Sequence, residues 1–404
     1  MSNRLAQRVS DRLDTQKKTT RHIVALDYLR AFIIVVVLAH HSVIAYSYSS
    51  HFDPKHYLWG APIVDSKRWL GCDLFILFND IFFMSLMFFL SGLFVWPSLA
   101  RKGGRAFLRD RSLRLGLPFM LAVIFLMPLA YYPSFRMTGA DPGFFAFWQQ
   151  CLSFDNWPCG PIWFIWVLLA FDCVAAGLHK IAPRSGDVLG RMTSFAVGRP
   201  AAFFAVLMAI AAAAYLPMLV GFGPARWFVL GPFSVQASRL LLYAVYFFAG
   251  VGIGAYDIEQ GLLARDGRLV RRWALWLFAA IAAYALVVTL RVVRLQVASA
   301  TPSLTTLLIY GLAFLLSCGA TGFAMLGLFL RFANERARVF DSLANNAYGM
   351  FLIHYVFVIW LQYALLEATL SATEKGAIVF VGALVISWCL TAAMRCIPGV
   401  AKII

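Results

Sequence analysis

Hydrophobic residues in this chain fall into ten long runs separated by short polar stretches. The runs lie near residues 23–46, 75–97, 112–132, 161–179, 200–221, 239–256, 273–290, 304–330, 347–366 and 376–394. Each is close to the ~20 apolar residues with which a helix crosses the hydrocarbon core of a bilayer. Lipid offers the backbone no hydrogen-bond partners, so spans of this kind satisfy their own N–H and C=O groups as helices. The pattern therefore predicts an all-α, polytopic integral membrane protein of about ten transmembrane helices. The longest connections run to about 28 residues, too short for a separate water-soluble domain. Neither an internal repeat nor a low-complexity tract is visible.

Composition agrees. Of 404 residues, 61% are hydrophobic and 13% charged, with a mean hydropathy of +0.76. Soluble domains average about 45–50% apolar and about 25% charged. A net charge of +16 would suit a nucleic-acid partner if it were concentrated on one surface. Instead, the basic residues alternate between connections: 24 Lys and Arg fall in one set and 8 in the other. The richer set marks the cytoplasmic face. Both termini are expected there, which requires an even number of spans. Residues 1–21 read as a basic cytoplasmic tail, 22–397 as one transmembrane domain and 398–404 as a short cytoplasmic tail. The first run is too long for a signal-peptide core and is expected to stay as an uncleaved helix.

Ionisable residues inside the runs mark the candidate chemistry. The first run holds Asp27, Arg30 and His41. At about 100° per residue these three share an arc of roughly 60°, with His40 about 100° away. Charge inside a bilayer costs several kcal/mol unless paired or wetted, so an aligned trio points to a functional site. The plainer reading is an Asp27–Arg30 ion pair between helices, with His41 at the interface. Ser42 follows His41, Asn79 and Asp80 lie in the second run, and Asp172, a weaker candidate, lies in the fourth. His354 in the ninth run is expected at the depth of Arg30, each about seven residues in. All could line one polar cavity.

Arg109, Arg111 and Arg114 crowd the cytoplasmic start of the third run. Adjacent guanidinium forks suit a phosphate-bearing ligand, and the positive-inside rule with headgroup contact explains them equally. The outside connections 47–74 and 133–160 are rich in aromatics, including Trp59, Trp148 and Trp157. These form either an interfacial belt or stacking platforms for sugar rings. Cys151 and Cys159 share one such connection, which leaves a disulfide between them open. No spacing of Cys and His suggests a metal.

His41 lies about 16 Å further along the helix than Arg30. A neutral imidazole serves as general base or nucleophile, but Asp27 is too far away to orient it. Asp27 fixes Arg30, and the partner of His41 must come from another element. A polar shaft of this kind suits acyl transfer across a membrane, from a phosphate-rich cytoplasmic donor to a hydroxyl on the other side. It equally suits a proton-coupled transporter or exporter of a polar or acidic metabolite.

Particular motifs resemble a known family. Leu26-Asp-Tyr-Leu-Arg30 through His41-Ser42 resembles the opening motif of the acyltransferase-3 membrane proteins, in which ten residues separate Arg from His. Phe88-Phe-Leu-Ser-Gly92, Arg111-Ser-Leu-Arg114 and Tyr348-Gly-Met-Phe-Leu-Ile-His354 resemble later motifs of that family. Leu90-Ser-Gly-Leu-Phe94, Arg101-Lys-Gly103 and Gly160-Pro-Ile-Trp-Phe164 are similar to the branch that contains the glucan biosynthesis protein C of Gram-negative bacteria. The resemblance implies O-acyl transfer from acyl-CoA, as succinyl-CoA or acetyl-CoA, to an extracytoplasmic glycan at a bacterial inner membrane. It implies that His41 is the essential residue with Arg30, held by Asp27, as its motif partner. It places Arg111 and Arg114 on the donor side. The residues themselves, apart from the resemblance, add Arg109 to that cluster and His354, Ser42 and Asp80 to the cavity lining, with Asn79 and Asp80 standing where the family pattern is apolar.

Overall fold

The computed structural model describes residues 24–404 apart from 59, 154–156, 297–302 and 334. The basic tail and Trp59 therefore lie outside the described residues. Among the described residues, ten helices are long and apolar enough to cross a membrane. They are α1 (Val24–Ile44), α2 (Leu70–Lys102), α3 (Gly104–Arg136), α4 (Gly160–Ile181), α5 (Pro200–Phe222), α6 (Ala237–Tyr256), α7 (Trp273–Val293), α8 (Leu304–Phe332), α9 (Arg338–Ala364) and α10 (Ala372–Met394). The all-α, ten-span expectation holds.

Several helices outrun their hydrophobic cores. The expected connection 98–111 is helical on both sides of Gly103, which makes the turn at a φ of +75°. α9 begins at Arg338, well before the apolar run at 347. Its polar first turns are bound in place: Tyr28 donates to Asp341 at 2.8 Å, and Asn346 donates to the Ser342 carbonyl at 2.8 Å. Hydropathy cannot register a helix end held by polar contacts.

α3 shows how the chain tolerates proline within a span. Pro118, Pro128 and Pro133 lack the N–H that would bond the carbonyl four residues earlier. Those carbonyls accept from side chains instead. Tyr348 of α9 donates to Arg114 O, Trp148 to Ile124 O at 2.7 Å, and Trp360 of α9 to Leu129 O at 2.9 Å. The prolines thus fasten α3 to α9 and to the loop helix Phe144–Ser153. Two π-helical turns, Ser112–Gly116 and Ala122–Leu126, interrupt the same span.

α2 and α6 pack backbone to backbone. A Cβ at Gly250 would stand 2.1 Å from Phe89 O, and one at Gly254 1.9 Å from Leu93 O. Reciprocally, a Cβ at Gly92 would stand 2.1 Å from Phe247 O. Small residues four apart are a standard route to close helix approach in lipid, where dispersion contacts replace the hydrophobic effect. α8 and α9 are mostly buried, whereas α5, α7 and α10 turn most of their surface outward.

The connection between α1 and α2 is anchored by a fully buried ion pair. Lys375 Nζ, on α10, lies 2.7 Å from Asp65, and each side chain is 1% exposed. Lys375 also donates to the Leu366 carbonyl at 3.1 Å. Removing one partner of such a pair strands the other charge. Lys375→Met is expected to cost about 3–5 kcal/mol of stability. The double change with Asp65→Asn should recover most of it, read as the thermal midpoint of the purified protein. A double variant no more stable than the single one would show that the two groups are not coupled.

One small sheet departs from the helical pattern. β1 (Trp227–Leu230) pairs antiparallel with β2 (Phe233–Gln236) across a tight turn at Gly231, whose φ is +56°. The signal was the Gly-Pro dipeptide between two short β-prone runs. The hairpin packs against α4, where Trp166 donates to the Ser234 carbonyl at 2.9 Å.

Candidate active site

Two cavities enter the bundle from opposite ends of α1. The tail-side cavity, about 500 Å³, is lined by Asp27, Arg30, Arg111 and Arg114, with Arg395 and Lys402 from beyond α10. The loop-side cavity, about 430 Å³, is lined by His40, His41 and Asp80, and by aromatics from α2, α3, α4, α6, α9 and the segment Trp227–Leu230. The two share Val37, Met84 and Phe351. The continuous polar shaft expected along α1 is thus two chambers meeting at an apolar septum. The cause is the ten residues between Arg30 and His41, which are almost wholly apolar.

At the tail side, Arg30 Nη1 pairs with Asp27 at 3.0 Å, one helical turn away. Its guanidinium lies 4.7 Å from the Phe94 ring centroid. Arg111 Nε lies 3.2 Å from the fully buried Asp172 of α4. Asp172 therefore serves the Arg111 fork, far from His41. Arg109 is exposed, lies 3.9 Å from Asp110, and is not among the cavity-lining residues.

At the loop side, α9 supplies the partner that α1 lacks. His354 Nε2 lies 3.2 Å from His41 Nδ1, and the rings are 5.2 Å apart. His354 thus sits at the depth of His41 rather than of Arg30, because α9 starts earlier than its apolar run. The backbone fixes both tautomers. His354 Nδ1 lies 2.7 Å from Phe351 O, and His41 Nδ1 lies 2.9 Å from Val37 O. A carbonyl only accepts, so each neutral ring carries its proton on Nδ1. His354 Nε2 then accepts from His41, and His41 Nε2 keeps its lone pair. That atom makes no hydrogen bond to another described residue. Tyr355 meets the His41 ring edge-on at 5.3 Å and hydrogen-bonds Tyr131. Gln362 donates to the His41 and Ser42 carbonyls at 2.9 and 3.1 Å, locking α9 to the end of α1.

His40 also faces this cavity, but its ring rests 5.3 Å from Phe83 and its buried Nδ1 has no hydrogen-bond partner among the described residues. Ser42 is buried, donates to the Leu38 carbonyl at 2.7 Å, and is not among the residues lining either cavity. Asp80 is gripped by Arg239 of α6 in a two-pronged pair of 2.9 and 2.6 Å. Asn79, beside it, is buried away from both cavities. Cys159 lines the cavity as a free thiol, and so does not bridge to Cys151. Burial pushes its thiol up to about 12, so it stays protonated and is a poor nucleophile at neutral pH.

Sequence reasoning passed over Arg239, Tyr355, Trp163, Trp227, Arg395 and Lys402 as site residues. Arg239 was visible as a charge at the edge of a span, but its carboxylate partner lies 159 positions away. Trp163 stood only within a motif of the family resemblance, Trp227 and Tyr355 carried no signal of their own, and the two C-terminal cations looked like topology signals.

No curated protein and no solved structure matches the chain significantly. The acyltransferase domain family does match, over residues 23–392, which takes in all ten apolar helices but the last two residues of α10. The loop-side chamber and the His41–His354 pair lie inside that stretch, and so does the tail-side chamber apart from its C-terminal lining. This chain is therefore a member of the acyltransferase-3 family, a multi-pass membrane enzyme that transfers acyl groups other than amino-acyl groups.

Proposed function

We propose that this enzyme moves a short acyl group, succinyl or acetyl, from acyl-CoA in the tail-side cavity to a hydroxyl of a glycan in the loop-side cavity. The tail side faces the cytoplasm in this reading, as the excess of Lys and Arg on that side supports. The membrane is then a bacterial inner membrane, and the acceptor an extracytoplasmic carbohydrate of the glucan type.

One observation carries the reading: chambers of opposite character meet beside an imidazole with a free lone pair. Arg30, Arg111 and Arg114 suit the phosphates of the donor. Its thin pantetheine arm suits a passage limited by Val37, Met84 and Phe351. On the other side, Trp157, Trp163, Trp227 and Tyr243 line a chamber that also holds the Asp80 carboxylate. Aromatic rings pack on the apolar faces of sugars, and a carboxylate accepts from their hydroxyls.

In the reaction, His41 Nε2 takes the proton of the acceptor hydroxyl as its oxygen attacks the thioester carbonyl carbon. The C–S bond then breaks, and the imidazolium returns the proton to the leaving thiolate. His354 holds the Nδ1 proton of His41 throughout and so keeps Nε2 aimed at the substrate. Incubating the purified protein with succinyl-CoA or acetyl-CoA and a short β-glucan tests this. The expected products are free CoA and an esterified glycan in equal amounts. CoA release with neither donor, from protein shown to be folded, would overturn the choice of donor.

A further inference from the structure

The segment after α10 belongs to no part of the mechanism above, and residues 395–404 lie beyond the family match. α10 ends at Met394, Pro398 and Gly399 keep the chain from resuming it, and a single 3₁₀ turn, Val400–Lys402, follows. The chain then runs back over the tail-side cavity, where Ala401, Lys402, Ile403 and Ile404 join its lining. Ile404 packs on the hydrophobic core, which fixes the segment in place. Five cations then face one cavity: Arg30, Arg111, Arg114, Arg395 and Lys402. Two have carboxylate partners, Asp27 and Asp172. Among the described residues, Arg114, Arg395 and Lys402 have no carboxylate at ion-pair distance, and Asp27 is the only acidic residue lining the cavity.

Three unpaired like charges converging on one partly enclosed space repel one another, and a polyanion relieves this. We propose that Arg395 and Lys402 are donor-binding residues. The C-terminal segment completes a polyphosphate site of which Arg111 and Arg114 form only the other wall. This rests on the reading of the tail-side cavity as the donor site and adds a second wall to it. A ligand with several phosphates spaced along its length, as in coenzyme A, fits such a collar better than one with a single phosphate.

The test is isothermal titration of the full chain, wild type and Arg395→Ala/Lys402→Ala, with coenzyme A and with pyrophosphate. The double variant is expected to bind both about tenfold or more weakly. Turnover of an acyl-pantetheine, which lacks the phosphates, should fall far less than turnover of acyl-CoA. Equal coenzyme A affinity in wild type and variant would overturn the inference and leave the donor reading standing. Tighter binding by the variant would also overturn it, and would mark the segment as a plug. Pyrophosphate binding that weakens in the variant, with no coenzyme A binding even in wild type, would keep the site and remove acyl-CoA as donor. Binding of neither probe by wild type would remove both.

Discussion

His41→Ala is expected to lower acyl transfer by about 10²–10⁴-fold, the contribution of a positioned general base, with the fold intact. His40→Ala should retain most of the activity, although the two imidazoles are neighbours on one helix and face the same chamber. The difference lies in their partners. His41 is held between the Val37 carbonyl and His354, which leaves Nε2 as its reactive nitrogen. His40 rests on Phe83, and its Nδ1 has no hydrogen-bond partner among the described residues. His354 acts here as a positioning residue, and the substitutions reveal this through rescue. His354→Asn supplies an amide oxygen that can accept the His41 Nδ1 proton, so it should retain more activity than His354→Leu. Both should fall short of the loss in His41→Ala. Initial rates of CoA release by each purified variant decide the order. If His40→Ala matched His41→Ala, or if His354→Leu lost as much as His41→Ala, the assignment of the base to His41 would be wrong.

The largest effect on the fold is expected at the α2–α6 contact. Gly254→Val must fit side-chain atoms where a single Cβ would already stand 1.9 Å from Leu93 O. Gly250→Val meets Phe89 O in the same way, at 2.1 Å. Neither obstacle is the flexible end of a side chain, so the helices must separate. The expected cost exceeds about 4 kcal/mol, the exceptional end of single substitutions. Since α6 also carries Arg239 and Tyr243, that separation would dismantle the Asp80 side of the loop-side chamber. Gly177→Ala in α4 is the control. A Cβ there meets nothing within 4 Å, and Ala is better than Gly in a helix interior by about 0.8–1.0 kcal/mol. Size-exclusion profiles and thermal midpoints in detergent separate the cases. A monodisperse Gly254→Val protein with a wild-type midpoint would show that the helices do not meet as closely as described.

Where the chain could be read directly, the physics was local. Ten apolar runs of bilayer length specify ten helices, because each helix satisfies its own backbone without reference to its neighbours. The three-residue spacing of Asp27 and Arg30 is likewise enough to pair them on one face. The same periodicity placed His41 on that face. The motifs carried the resemblance to the acyltransferase-3 family, which the match over residues 23–392 bears out.

What the sequence left open depends on partners far apart in the chain. His354 is 313 positions from His41, and Arg239 is 159 from Asp80. A helix wheel gives the direction of a side chain but not what stands opposite it. Nor do apolar runs alone give helix register, so His354 was placed at the wrong depth. α9 begins in polar residues that contacts with α1 and α10 hold in place. The division of one expected shaft into two chambers, and the return of Arg395 and Lys402 to the tail-side mouth, are likewise products of packing. Sequence thus determined which segments form helices and which residues could carry the chemistry. Tertiary structure decided which residues meet, because in lipid helix association rests on close contact, hydrogen bonds and ion pairs between helices rather than on apolarity.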